Sequence, residues 1–135
     1  MANQSPPLHT RTVQVGDQVL ALLGGGGHWW LELDGRRVPM RLRITESTLG
    51  NSGTHDRELQ GWRTVDTAPL AALAGGDELQ VRQVRGATQV VCTAVTSRAA
   101  IYNTVLYHID RIEVTLTADG SRADVWLDHH TDMSD

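Results

Sequence analysis

"RIEVTLTADGSRADVWLD", residues 111–128, alternates apolar and polar side chains on either side of an Asp-Gly pair. Successive residues of a strand point to opposite faces, so pairing register decides which set is buried. Folding the stretch back at Asp119-Gly120 sets Leu116 against Ala123, Val114 against Val125 and Ile112 against Leu127 on one face. The other face then pairs Arg111 with Asp128, Glu113 with Trp126 and Thr115 with Asp124. A slip of one residue would spoil every pair, so the stretch predicts an antiparallel hairpin with one buried face.

A second Asp-Gly pair organises "WWLELDGRRVPM", residues 29–40. Asp-Gly is strongly preferred in two-residue hairpin turns. The register it predicts sets Leu31 against Val38 and Trp29 against Met40, with Glu32 facing Arg37 and Trp30 beside Pro39. Continuing to Thr45 turns Val38, Met40, Leu42 and Ile44 inward and leaves Arg41 and Arg43 outside. Further strands are expected over 10–15 and 18–23, on either side of Gly16-Asp17, and over 78–84, 88–96 and 100–109. One short helix is expected near 67–74, with Asp66 or Thr67 as cap, Pro69 early and Gly75 as the stop. These elements predict an all-β, mainly antiparallel fold, a small β-barrel or β-sandwich with that single helix. The domain is expected to span 10–128, with an arm at 1–9, a long polar loop at 46–58 and an acidic, histidine-bearing tail at 129–135.

Composition limits the function classes. A chain of 135 residues supports one modest core, and a net charge of −4 argues against generic nucleic-acid binding. No apolar run reaches the roughly 20 residues of a membrane-spanning helix. The N-terminus lacks the basic start and apolar stretch of a secretory signal. Cys92 is the single cysteine, which excludes an intrachain disulfide and suits synthesis in the cytoplasm. All 12 basic residues are arginine, and phenylalanine is absent. Lysine and phenylalanine codons are AT-rich, so a GC-rich bacterial or phage genome accounts for this bias.

Candidate chemistry is sparse. The run Gly24–Gly27 could suggest a phosphate loop, but such a loop feeds a helix and ends in Gly-Lys-Ser/Thr. Here it precedes a paired strand, and the chain has no lysine, so the run reads as a bend. The histidines 9, 28, 55, 108, 129 and 130 show no HExxH or His-x-His spacing, and no metal or other cofactor is expected. No Gly-x-Ser-x-Gly elbow is present, and Cys92 among valines reads as a buried, inert thiol. Arg37-x-x-x-Arg41 resembles the opening arginines of cyclic-dinucleotide-binding PilZ barrels. The Asp/Asn-x-Ser-x-x-Gly element that should follow is missing, so that family is not carried over.

The resulting expectation is a non-enzymatic assembly or binding module, a phage tail or head–tail structural protein that self-associates and ends in the virion. Its partners would be further copies or other structural proteins, with neither nucleic acid nor membrane involved. Tryptophan and arginine are enriched at the energetic centres of interfaces, so Trp30, Arg41, Arg43, Glu113 and Trp126 are candidate contacts, with Leu49, Asn51 and His55 on the polar loop. The alternative is an intracellular small-molecule-binding β-barrel, a cyclase or isomerase, with Trp29, Tyr102, Tyr107 and His108 around the ligand and the 46–58 loop as its lid.

Overall fold

The register expected for residues 111–128 is the one observed, from Leu116 opposite Ala123 to Arg111 opposite Asp128. The computed structural model describes residues 9–25, 28–50, 53–75, 79–93, 98–102 and 105–130. In chain order the elements are β1 (His9–Val15), β2 (Gln18–Gly25), β3 (His28–Leu33), β4 (Arg36–Val38), β5 (Met40–Gly50), β6 (Gly53–Val65), α1 (Ala71–Gly75), β7 (Gln80–Val84), β8 (Ala87–Thr93), β9 (Arg98–Tyr102), β10 (Val105–Leu116) and β11 (Ala123–His130). Strands β1-β2-β3-β4 make a four-stranded sheet, and β6-β5-β11-β10-β8-β7 a larger seven-stranded one, with β9 paired to β10. All pairings are antiparallel except β11 with β5. The fold is all-β, and its two sheets do not close into a barrel.

One apolar core lies between the sheets. Leu20, Leu22, Leu31 and Leu33 of the smaller sheet meet Leu42, Ile44, Val90, Ile112, Val114, Val125 and Leu127 of the larger. The alternation read from the sequence therefore places the core correctly on both sides. Helix α1 is a single turn whose Leu73, with the preceding Leu70, is fully buried in the same cluster. It packs against β1 of the smaller sheet and β8 of the larger.

The Asp34-Gly35 hairpin behaves as expected only as far as Val38. Asp34 (φ 49°) and Gly35 (φ 82°) both occupy the left-handed region that a two-residue turn needs. Leu31 then pairs with Val38 and Glu32 with Arg37. The expected Trp29–Met40 pair does not form. Pro39 has no N–H to give to a ladder, and at this residue the chain leaves the small sheet and enters β5 of the large one. The Pro39 carbonyl accepts from the Ala123 amide at 2.9 Å, which ties the crossing to β11. Ala68 takes the pairing position beside Trp29, exchanging bonds of 3.1 and 2.8 Å with it.

Three other expectations are corrected. Residues 46–50 and 53–58 are strand and not loop: they complete β5 and begin β6, with Glu46 opposite Arg57 and Gly50 opposite Gly53. Polar composition hid the pairing because the stretch offers no apolar alternation to count. Residues 100–109 are not one strand, since β9 ends at Tyr102 and β10 starts at Val105. His129 and His130 belong to β11 and not to a solvated tail. His129 lies opposite Glu46 and Ile109 and is fully buried, 3.7 Å from the Glu46 carboxylate.

The Asp119-Gly120 pair sits in a six-residue connection between Leu116 and Ala123 rather than in a tight reversal. Asp119 organises it: its Oδ1 accepts from the Ser121 hydroxyl at 2.7 Å, the Ser121 amide at 3.0 Å and the Thr117 hydroxyl at 2.9 Å. These donors, the Ser121 hydroxyl foremost, hold its carboxyl down from the ordinary 3.8 to about 2. Because the folded value is depressed, this contribution is complete above about pH 4 and disappears as pH falls toward 2. Asp119→Ala should therefore fall below wild type at neutral pH and converge on it through that window. Denaturant titrations at stepped pH test this; a constant gap between the two proteins would contradict it.

Candidate functional site

The outward side of the larger sheet carries a ladder of alternating indoles and guanidiniums. Its rungs come from three neighbouring strands: Trp62 on β6, Arg41 and Arg43 on β5, Trp126 on β11, with Arg111 on β10 beyond. Arg41 lies 5.0 Å from the Trp62 ring centre and Arg43 5.9 Å. Arg43 is also 5.9 Å from the Trp126 ring, which Arg111 flanks at 5.4 Å. Register produces this arrangement: Trp126 lies opposite Arg43 on one side and Glu113 on the other, and residues level with one another share a face.

Each guanidinium in the ladder is also paired with a carboxylate. Arg41 meets Asp124 through two bonds of 2.9 Å, Arg43 meets Glu58 at 3.0 Å, and Arg111 meets Glu113 at 2.8 Å. Arg122 adds two further bonds to Asp124, at 2.9 and 3.3 Å. Burial alone would raise the Asp124 carboxyl, but the two arginines outweigh it and hold it below its usual range. The Trp126 indole donates to the Thr45 hydroxyl at 2.7 Å, and that hydroxyl donates to Asp128 at 2.9 Å. The face is thus charge-balanced and stiffened by hydrogen bonds, which lowers the entropy lost when something docks on it.

The expected contact residues are divided by this geometry. Arg41, Arg43 and Trp126 come together in the ladder. Glu113 shares the face, yet it is buried beneath Arg111 and acts as that residue's counter-ion. Trp30 is elsewhere, on the outward side of the smaller sheet, bonded to Glu32 at 3.2 Å and covered by Arg37 at 5.0 Å. Leu49 and His55 are placed by register alone, opposite Thr54 and Thr48 on the β5–β6 ribbon, and Asn51 lies outside the described residues. Trp62 was missed because Gly61 interrupts the alternation that would have marked the second half of β6 as a strand.

The residues of the ligand-binding alternative do not share one described cavity. Trp29 is buried in the core and forms one wall of an open cleft of about 340 Å³, lined also by Thr10, Arg11, Ala71, Ala74 and Gly75. Arg11 is the ionisable member of that lining, and its guanidinium donates at 3.2 Å to the carbonyls of Leu73 and Ala74 at the end of α1. Tyr102, Tyr107 and His108 belong to the β9–β10 hairpin, opposite Val105, Ala99 and Arg98. Cys92 is buried, and burial pushes its thiol up, away from the thiolate that nucleophilic chemistry needs.

Among the described residues, no three histidine, cysteine, aspartate or glutamate side chains converge on a point where a metal could sit, and no helix is long and apolar enough to cross a membrane. Of the Gly24–Gly27 run, Gly24 and Gly25 end β2, opposite Trp29 and His28, and the other two lie outside the described residues. Gly24 is buried, so its amide is not presented to an anion. No family model matches the chain, and no curated protein or solved structure is significantly similar to it.

Proposed function

We propose that this chain is a non-enzymatic assembly module that associates with further copies of itself, as a structural protein of a phage tail or head–tail region. The observation that carries the reading is where apolar surface is left uncovered. Among the described residues, the exposed large apolar side chains are Trp62 at 41 %, Val81 at 42 %, Val84 at 38 % and Val19. Three of these four belong to β6 and β7, the two edges of the larger sheet. Edge strands with apolar side chains invite pairing and are normally blunted in monomers. The phage setting is supported by the small all-β fold and the arginine-only, GC-biased composition.

The open cleft supports a second reading, a site for a small ligand, since its volume of about 340 Å³ falls within the usual range for such sites. Catalysis as a cyclase or isomerase is less well supported. Arg11 is held by two carbonyls, and a guanidinium does not exchange protons near neutrality.

Static light scattering over a wide concentration range tests the leading reading. The expected result is a molar mass that rises above 14.8 kDa with concentration. A constant monomer mass would overturn it.

A further inference from the structure

We infer that β7 is the assembling edge, and that it pairs antiparallel with β7 of a second copy about a two-fold axis through Val81. This rests on the self-association reading above and names the contact. Strand β7 terminates the larger sheet, and all five of its residues are exposed. It overhangs the smaller sheet: Val81 lies opposite Val90, a fully buried core residue, yet Val81 itself is 42 % exposed. The opposite edge, β6, is interrupted by two register shifts against β5, a common way of blocking strand addition. Strand β7 pairs with β8 without a shift and contains no proline.

The turn into β8 fixes which backbone groups are available. Arg85 (φ 51°) and Gly86 (φ 83°) form a two-residue reversal, so Val84 and Ala87 are the bonded pair that closes the hairpin. Bonded and non-bonded pairs alternate along an antiparallel ladder. Arg82 and Gln80 are therefore also bonded to β8, while Gln83, Val81 and Leu79 direct their N–H and C=O groups to the open edge.

A two-fold axis can pass through a bonded or a non-bonded pair, but centring on Arg82 would set arginine against arginine, and centring on Gln80 would bond only Leu79 with Val81 and leave Gln83 and Val84 unpaired. Centring on Gln83 would set Val81 against Arg85, which sits in the turn and cannot continue a ladder. Centring on Val81 sets Val81 against Val81, Leu79 against Gln83 and Gln80 against Arg82. The exposed valines then cover each other on the side where the smaller sheet stops, and no arginine faces an arginine. The strand is self-complementary in that register, which selects a second copy as the occupant over a foreign peptide.

Two substitutions test this with the full chain. Val81→Pro removes an amide that β8 does not use, and Val81→Lys sets two like charges directly opposite. Each is expected to raise the dissociation constant of the dimer at least about tenfold. Circular dichroism should be unchanged, and high salt should partly restore association of Val81→Lys alone. Val84→Lys, equally exposed but beyond the ladder, should associate as wild type. If Val81→Lys associates as tightly as wild type, the edge assignment is overturned while self-association stands. If the wild-type chain is monomeric throughout, both fall.

Discussion

Gly24→Ala is expected to destabilise the protein by about 3 kcal/mol, near the upper end for a single backbone-strain substitution. Gly24 has φ +150°, a conformation that side-chain-bearing residues rarely adopt. A Cβ there would collide with the His28 carbonyl oxygen and stand 2.8 Å from the Trp29 Cα. Both are backbone atoms of the paired strand, so relief requires β2 and β3 to separate locally. Trp29 resists that movement because its ring is in the core and its backbone is bonded to Ala68. Gly16→Ala is the control: Gly16 also has a positive φ, at +63°, but nothing lies within 4 Å of its Cβ position. That variant should lose only about 1 kcal/mol from backbone strain. Urea denaturation of the two variants measures the difference. Equal losses would mean that the close approach of β2 and β3 at Gly24 is absent.

The same glycine shows what was legible in the sequence and what was not. The context of the run, a strand on either side and no lysine in the chain, pointed to a bend, whereas Gly24 and Gly25 are the last residues of β2. That Gly24 lies inside the ladder, opposite Trp29, did not follow, because glycine gives no alternation to count. The register of residues 111–128 was legible because both faces carried information, aliphatic side chains within and polar ones, Arg111 with Asp128 among them, without. The switch of sheets at Pro39 was not. Val38, Met40, Leu42 and Ile44 keep one period through it, so the pattern reports which side is buried and says nothing about which sheet the strand has joined.

That ambiguity also explains why the candidate contacts do not all share one face. Trp30 and Trp126 both fall on outward faces, as their alternation required, but on different sheets with the core between them. Sequence pattern resolves inside from outside within one strand, whereas a docking surface is assembled across strands. Trp62 joins Trp126 through Arg43, a relation that depends on β6 pairing with β5 and β5 with β11. Val81 and Val84 became informative once β7 was known to terminate a sheet and to lie beyond its cover.

Asp124→Ala is expected to destabilise the protein by about 2–3 kcal/mol and to loosen the indole–guanidinium ladder. The carboxylate accepts two bonds from Arg41 and two from Arg122, and its side chain is only 17 % exposed. Removing it leaves two guanidiniums facing each other without a shared counter-ion, so repulsion adds to the lost bonds. The arginines are 34 and 42 % exposed, and water screens part of that cost, which keeps the loss below that of a fully buried pair. Arg41 is held against Trp62 partly by this anchor, so Trp62 should become more exposed and its emission shift to the red. Acid should mimic the substitution. The Asp124 carboxyl is held below its usual range, so its contribution is complete above the ordinary aspartate value and is lost as pH falls through the depressed one. Asp124→Asn should reproduce less of the loss than Asp124→Ala, because the amide oxygen can still accept from one arginine. A variant as stable as wild type, with unshifted emission, would mean that stacking rather than the carboxylate holds Arg41 in place.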